Sequence, residues 1–158
     1  MVEGARREQL SLEAAVTHIL EECRMVLPGI QALFGFQLVA VFSYGFSQSL
    51  SKLDQQLHFF SIAFTVISIG LVMAPAAVHR TVDPFSVSEA FIRLSTRLLL
   101  SSLLPLAISI SIEIFLIGKL IMDGWLVGIT SGLLAFILFL SLWVGLPLIQ
   151  RRERGRQV

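Results

Sequence analysis

The chain has 158 residues, 55% hydrophobic and 15% charged, with a formal net charge of +1. Soluble domains carry about 25% charged residues, so the composition excludes an ordinary water-soluble globule. The single cysteine, Cys23, excludes an intramolecular disulfide and a thiol metal site built from one chain.

The first twenty-odd residues are charged and polar, without the apolar stretch and small-residue cleavage site of a signal peptide. Over residues 11–24, Leu12, Val16, Ile19, Leu20 and Cys23 recur at helical spacing, while Glu13, Thr17, Glu21 and Arg24 fall on other faces. Ser11 is placed to cap that helix. Residues 1–24 therefore read as a cytoplasmic tail ending in an amphipathic helix on the membrane surface. Proline is tolerated in the first turn of a helix, so the turn into the membrane is expected at Pro28-Gly29.

Four apolar runs follow, at about 25–46, 57–78, 98–118 and 125–149. At ~1.5 Å per residue each is long enough to cross a hydrocarbon layer of roughly 30 Å. The expected fold class is all-α: a polytopic membrane protein of four transmembrane helices plus the N-terminal amphipathic interfacial helix. Arg6, Arg7, Arg24, Arg80, Arg93, Arg97, Arg151, Arg152, Arg154 and Arg156 lie on one side of these spans, and only Lys52 and Lys119 on the other. Positive residues favour the cytoplasmic side, so both termini are expected there. The longest connector follows the second span, with a turn expected at Asp83-Pro84. Residues 150–158 form a basic tail suited to anionic lipid, at about 1 kcal/mol per cation. The bilayer is thus the expected partner and nucleic acid is not; no cofactor is expected.

The spans are more polar than anchors require. His58, Ser61, Thr65, Ser68, Pro75 and His79 share one face of the second, and Ser102, Ser109 and Glu113 share one face of the third. Polar groups in lipid are costly, so these faces should look inward. Glu113 is the one acid inside a span, roughly 8 Å below the outer surface. An intramembrane acid is a candidate ion or proton site, here with Ser109 and Ser102. Otherwise it snorkels to the interface or pairs with Lys119 or Lys52. Gln31 and Gln37 of the first span can hydrogen-bond across helices. They are six residues apart and face different sides. Gly124, Gly128 and Gly132 form a ridge for close helix packing, inside the bundle or between copies. Pro75 and Pro105 each remove a backbone hydrogen bond from their helices.

Two stretches carry a resemblance. One runs from Glu22-Cys23-Arg24 through Pro28-Gly29-Ile30-Gln31 to Leu33-Phe34-Gly35-Phe36; the other from Leu71-Val72-Met73-Ala74-Pro75 to His79-Arg80. Together they resemble a family of small, functionally uncharacterised bacterial four-helix membrane proteins. The resemblance covers residues 20–80 and implies no established activity. It places the protein in a bacterial inner membrane. Some members have been labelled sodium/proton antiporters, but this chain has no intramembrane aspartate pair. In an antiparallel hairpin the motifs bring Glu21, Glu22 and Arg24 beside His79 and Arg80, either as a salt-bridged clasp or as a pH- or ion-sensitive mouth.

No nucleophile, base and orienting group fall into a catalytic pattern, so an enzyme is not expected. The first functional reading is a structural or accessory membrane protein, alone, as a homo-oligomer or with a membrane partner. The alternative is a small ion channel or cation/proton carrier using Glu113 and the polar faces of spans two and three.

Overall fold

The computed structural model describes residues 11–82 and 88–155. The turn expected at Asp83-Pro84 and the arginines Arg6, Arg7 and Arg156 lie outside the described residues. Every described element is helical. They are α1 (Leu12–Val41), α2 (Tyr44–Ser49), α3 (Lys52–Val82), α4 (Glu89–Ile121), α5 (Trp125–Leu140), a π-helical turn (Ser141–Gly145) and α6 (Leu146–Gly155). Four stretches are long and apolar enough to cross a membrane: Leu12–Val41, Lys52–Val82, Glu89–Met122 and Trp125–Gln150.

α1 begins where the sequence indicates. Ser11 is extended, and its hydroxyl accepts a hydrogen bond from the Ala14 N–H at 3.2 Å. The expected turn at Pro28-Gly29 is absent, because the interfacial segment and the first span are one helix. Pro28 leaves the Arg24 carbonyl without its helical donor, but the ring is exposed. Burial on both sides carries the helix through it: Val16, Cys23, Ile30 and Gln37, seven apart, form one buried stripe. The first span also stops short of residue 46. The chain leaves the helix at Phe42, Ser43 turns extended, and its hydroxyl donates to the Ala40 carbonyl at 2.8 Å. The short α2 then follows.

α3 starts with a reciprocal cap. The Ser51 hydroxyl donates to Asp54 Oδ2 at 2.6 Å and accepts from the Asp54 N–H at 3.3 Å. α4 is capped by Ser88, whose hydroxyl accepts from the Phe91 N–H at 3.2 Å. A tight turn at Met122–Gly124 joins α4 to α5, and Asp123 takes a left-handed φ of 46° within it. Asp is one of the few residues with a side chain that tolerate this conformation.

Successive spans run antiparallel. α4 is the central element, packed along α3 on one side and α5 on the other, while α1 rests mainly on α3. Cys23, Ile30, Val72 and Leu106 form the apolar core, with Leu27, Leu33, Ile69 and Trp143 against it. The glycine ridge serves the bundle interior. A Cβ at Gly128 would lie 2.9 Å from the Phe115 carbonyl oxygen, and one at Gly132 would lie 3.0 Å from that of Ser111. Gly118 of α4 answers from the opposite side, beside Ser131 and Gly128. Gly124 differs: it precedes α5 in extended conformation and belongs to the turn, not to the seam.

Candidate functional site

The polar face of α3 follows steps of four and three: Asp54, His58, Ser61, Thr65, Ser68, Val72 and Pro75 are all buried. That 3.5-residue period keeps one line of side chains against a neighbouring helix. On α4, Ser95, Ser102 and Ser109 recur every seven residues and are also buried. Gln37, the last member of the α1 stripe, reaches into this seam. The three helices therefore meet at Gln37, His58, Ser61, Thr65, Ser109 and Glu113.

At the centre His58 Nδ1 lies 3.0 Å from Glu113 Oε1 and 3.2 Å from Oε2. Its other nitrogen, Nε2, lies 3.0 Å from the Gln37 carbonyl oxygen. A carbonyl can only accept, so Nε2 carries a hydrogen. Nδ1 faces the carboxyl group, and one proton bridges them whether it rests on the ring or on the acid. The Ser61 hydroxyl donates to Glu113 Oε1. Gln37 Nε2 donates toward Ser61 Oγ at 2.7 Å, Ser109 Oγ at 3.0 Å and Glu113 Oε1 at 3.1 Å, two hydrogens among three acceptors. Ser109 Oγ donates to the Ser61 carbonyl at 2.9 Å and lies 2.7 Å from Thr65 Oγ1. Gln37 Oε1 is buried and has no partner among the described residues.

The pair is deep. Glu113 precedes the end of α4 by eight residues, about 12 Å at ~1.5 Å per residue. The His58 side chain is 4% exposed and that of Glu113 17%. That remaining exposure faces a cavity of about 260 Å³ between α2 and α4, with Phe46, Leu50, Leu116 and Leu120 among its walls. The Phe46 ring meets the His58 imidazole edge-on at 5.2 Å.

A second ion pair lies nearer this end of the bundle. Lys119 Nζ donates to Asp54 Oδ1 at 2.7 Å and to Oδ2 at 2.8 Å. The same ammonium sits 4.3 Å from the Trp125 ring centroid, in cation–π contact. Lys119 is thus taken by Asp54, which corrects the expected Lys119–Glu113 alternative. Among the described residues no group of three or more His, Cys, Asp and Glu is placed to hold a metal ion.

The other residues that the sequence singles out divide. Ser109 belongs to the site. Ser102 does not, because it lies two turns away, donates to its own helix at the Leu99 carbonyl, and receives the Ser68 hydroxyl on its own carbonyl. Pro75 is fully buried in the core. Gln31 is exposed, one residue past Ile30 of the buried stripe, and packs no helix seam. Arg24, His79 and Arg80 line one cavity at the opposite end of the bundle. Glu21 instead pairs with His18 on α1 at 3.7 Å, and Glu22 is exposed, so the described residues contain no acid–arginine clasp there.

His58 and Gln37 are site residues that the sequence alone does not assign to it. His58 stands out only as one member of a polar face, and its partner is 55 residues away. Gln37 carries a sharper signal, the seven-residue spacing from Cys23 and Ile30.

Fold and site together define a multi-pass, all-α protein whose interior holds a hydrogen-bonded histidine–glutamate pair. Over residues 7–147 the chain matches a family of unknown function (DUF6328), and it belongs to that family. This accords with the uncharacterised family that its two motif stretches resemble. No curated protein and no solved structure matches the chain.

Proposed function

We propose that this protein carries protons across its membrane through the His58–Glu113 pair, working as a carrier and not as an open pore. The observation that carries the reading is the placement of the pair: about 12 Å from the end of α4, with two titratable groups in hydrogen-bond contact, lining a cavity. An acid so deep in a span is costly unless it has a use or a partner, and this partner is itself able to take up or give away the proton. A chain of hydroxyls leads inward from the pair through Ser61, Ser109 and Thr65, and Ser68, next on the same buried face, bonds to the Ser102 carbonyl. It ends at Val72, Pro75 and Leu106, which are buried and close the seam. Beyond them the Ser95 hydroxyl is buried without a partner among the described residues. Transfer to the far side therefore needs a movement of α3 against α4, as in a carrier.

The one-sided distribution of arginine supports cytoplasmic termini, which turns the cavity outward, and the family resemblance supports a bacterial inner membrane. The reading involves no enzyme chemistry. Proton flux into proteoliposomes, with the Glu113→Gln variant beside the parent, tests it. Flux in the parent that falls to the level of empty liposomes in the variant is the expected result. Equal flux in both removes Glu113 from the mechanism and this reading with it.

A structural or accessory role is the second reading. It is favoured by the exposed apolar face of α5, formed by Leu126, Ile129, Leu133, Leu134 and Ile137. Lipid, a second copy or a membrane partner would cover it. A parent protein without flux, copurifying with one stoichiometric partner, is its signature.

A further inference from the structure

At the end of the bundle away from the histidine–glutamate pair, α1 and α3 enclose a cavity of about 330 Å³. Arg24 of α1 and His79 and Arg80 of α3 line its polar side, and Leu20, Leu27 and Met73 are among its apolar walls. We infer that this cavity binds an acidic phospholipid, with the headgroup phosphate between the two guanidinium groups and the start of an acyl chain along the apolar wall.

Three observations support this assignment. Two arginines from different helices converge on one cavity, and a guanidinium presents a planar fork that matches phosphate oxygens. Neither arginine belongs to an ion pair among the described residues: Glu21 pairs with His18, and Glu89 pairs with Arg93 at 2.9 Å. Glu21 and Glu22 do not line the cavity, so among the described residues no carboxylate competes for the site from within it. The apolar wall then selects among phosphates. A free inorganic anion would leave Leu20, Leu27 and Met73 facing water, whereas a lipid covers them without leaving the bilayer. Small-molecule pockets begin at about 300 Å³, so the cavity has room for a headgroup and its first methylenes. The His79 ring, 5.5 Å from Phe91 of α4, closes the inner side.

The test uses purified, delipidated protein offered equal phosphatidylglycerol and phosphatidylcholine, with retained lipids counted by native mass spectrometry. Phosphatidylglycerol is expected to be retained preferentially. An arginine near anionic lipid is worth about fivefold in affinity, so the double variant Arg24→Gln/Arg80→Gln should lose roughly thirtyfold. The Arg93→Gln control should lose nothing. Ala76 also lines the cavity, so Ala76→Phe narrows the apolar wall while keeping both arginines, and should also lower retention. An absence of preference for the acidic lipid, or retention by the double variant equal to the parent, overturns the inference. So does unchanged retention in Ala76→Phe. Displacement by inorganic phosphate as readily as by phosphatidylglycerol assigns the site to a free anion and overturns the lipid.

Discussion

Helix α4 meets α3 along a seam of hydroxyls and meets α5 along a seam of glycines. In the first, Ser102 and Ser109 face Ser61, Thr65 and Ser68; in the second, Ser111, Phe115 and Lys119 face Gly128 and Gly132. Both chemistries keep side chains small, so both let helix backbones approach closely in a medium where hydrophobic burial does not drive association. Only one of them leaves groups that can bond, donate or hold a charge. The glycine seam is spent entirely on proximity. The hydroxyl seam keeps the same proximity and adds a lining in which a hydrogen-bonded histidine–glutamate pair can survive. A helix can therefore be anchored by one face and carry chemistry on the other.

The largest effect should come from removing one member of the pair. His58→Leu leaves the Glu113 carboxyl group buried without its partner, at a cost of about 3–5 kcal/mol. The double variant His58→Leu/Glu113→Leu should recover most of that. Unfolding in mixed micelles reads both, and a single variant as stable as the parent would mean the seam does not depend on the pair. Next comes the glycine side. Gly128→Leu drives a side chain onto the Phe115 carbonyl, where even a Cβ would sit 2.9 Å away; overpacking of this kind costs about 1–3 kcal/mol. A variant with parental stability would show that α5 does not pack there. Smaller is Ser68→Ala, which removes one bond to the Ser102 carbonyl at 2.9 Å. Cross-helix bonds in membranes average about 0.6 kcal/mol. Smallest is Thr130→Ala. Its hydroxyl bonds back to the Leu126 carbonyl of its own helix and faces outward, so the change should stay within about 0.5 kcal/mol. If Ser68→Ala and Thr130→Ala proved equal, the hydroxyl seam would be a seam of small residues only.

Much of this is legible in the sequence. Apolar length and one-sided arginines indicate four spans, and the steps of three and four from His58 to Pro75 mark the face of α3 that is buried. Glu113 stands out because a lone acid in an apolar run has no local explanation. Its partner cannot be read, since which of His58, Lys52 and Lys119 it meets depends on helix register in space. Asp54 is hidden for a related reason. It looks like a connector residue, yet the cap with Ser51 draws it into α3 and the buried stripe carries it inward to Lys119. Between Gln31 and Gln37 the deciding quantity is the spacing of seven from Ile30, not the polarity of either. Pro28 misleads in the opposite direction. Its local preference for a helix start is overridden by burial at Cys23 and Ile30 on both sides.

The π-helical turn at Ser141–Gly145 has a further consequence. There the Leu146 N–H reaches back to the Ser141 carbonyl, five residues and not four. Such a turn accommodates one surplus residue inside an otherwise regular helix. Because each helical residue advances the azimuth by about 100°, everything after Gly145 is out of phase with the face set by Gly128 and Gly132. Trp143 occupies the offset, 4.7 Å from the Phe139 ring and against the apolar core. Deleting Val144 would bring the two halves back into phase, unseat the indole and re-aim α6. The fourth span therefore behaves as two rods joined at a fixed angle of rotation, and the bearing of the second is written in a single residue of length.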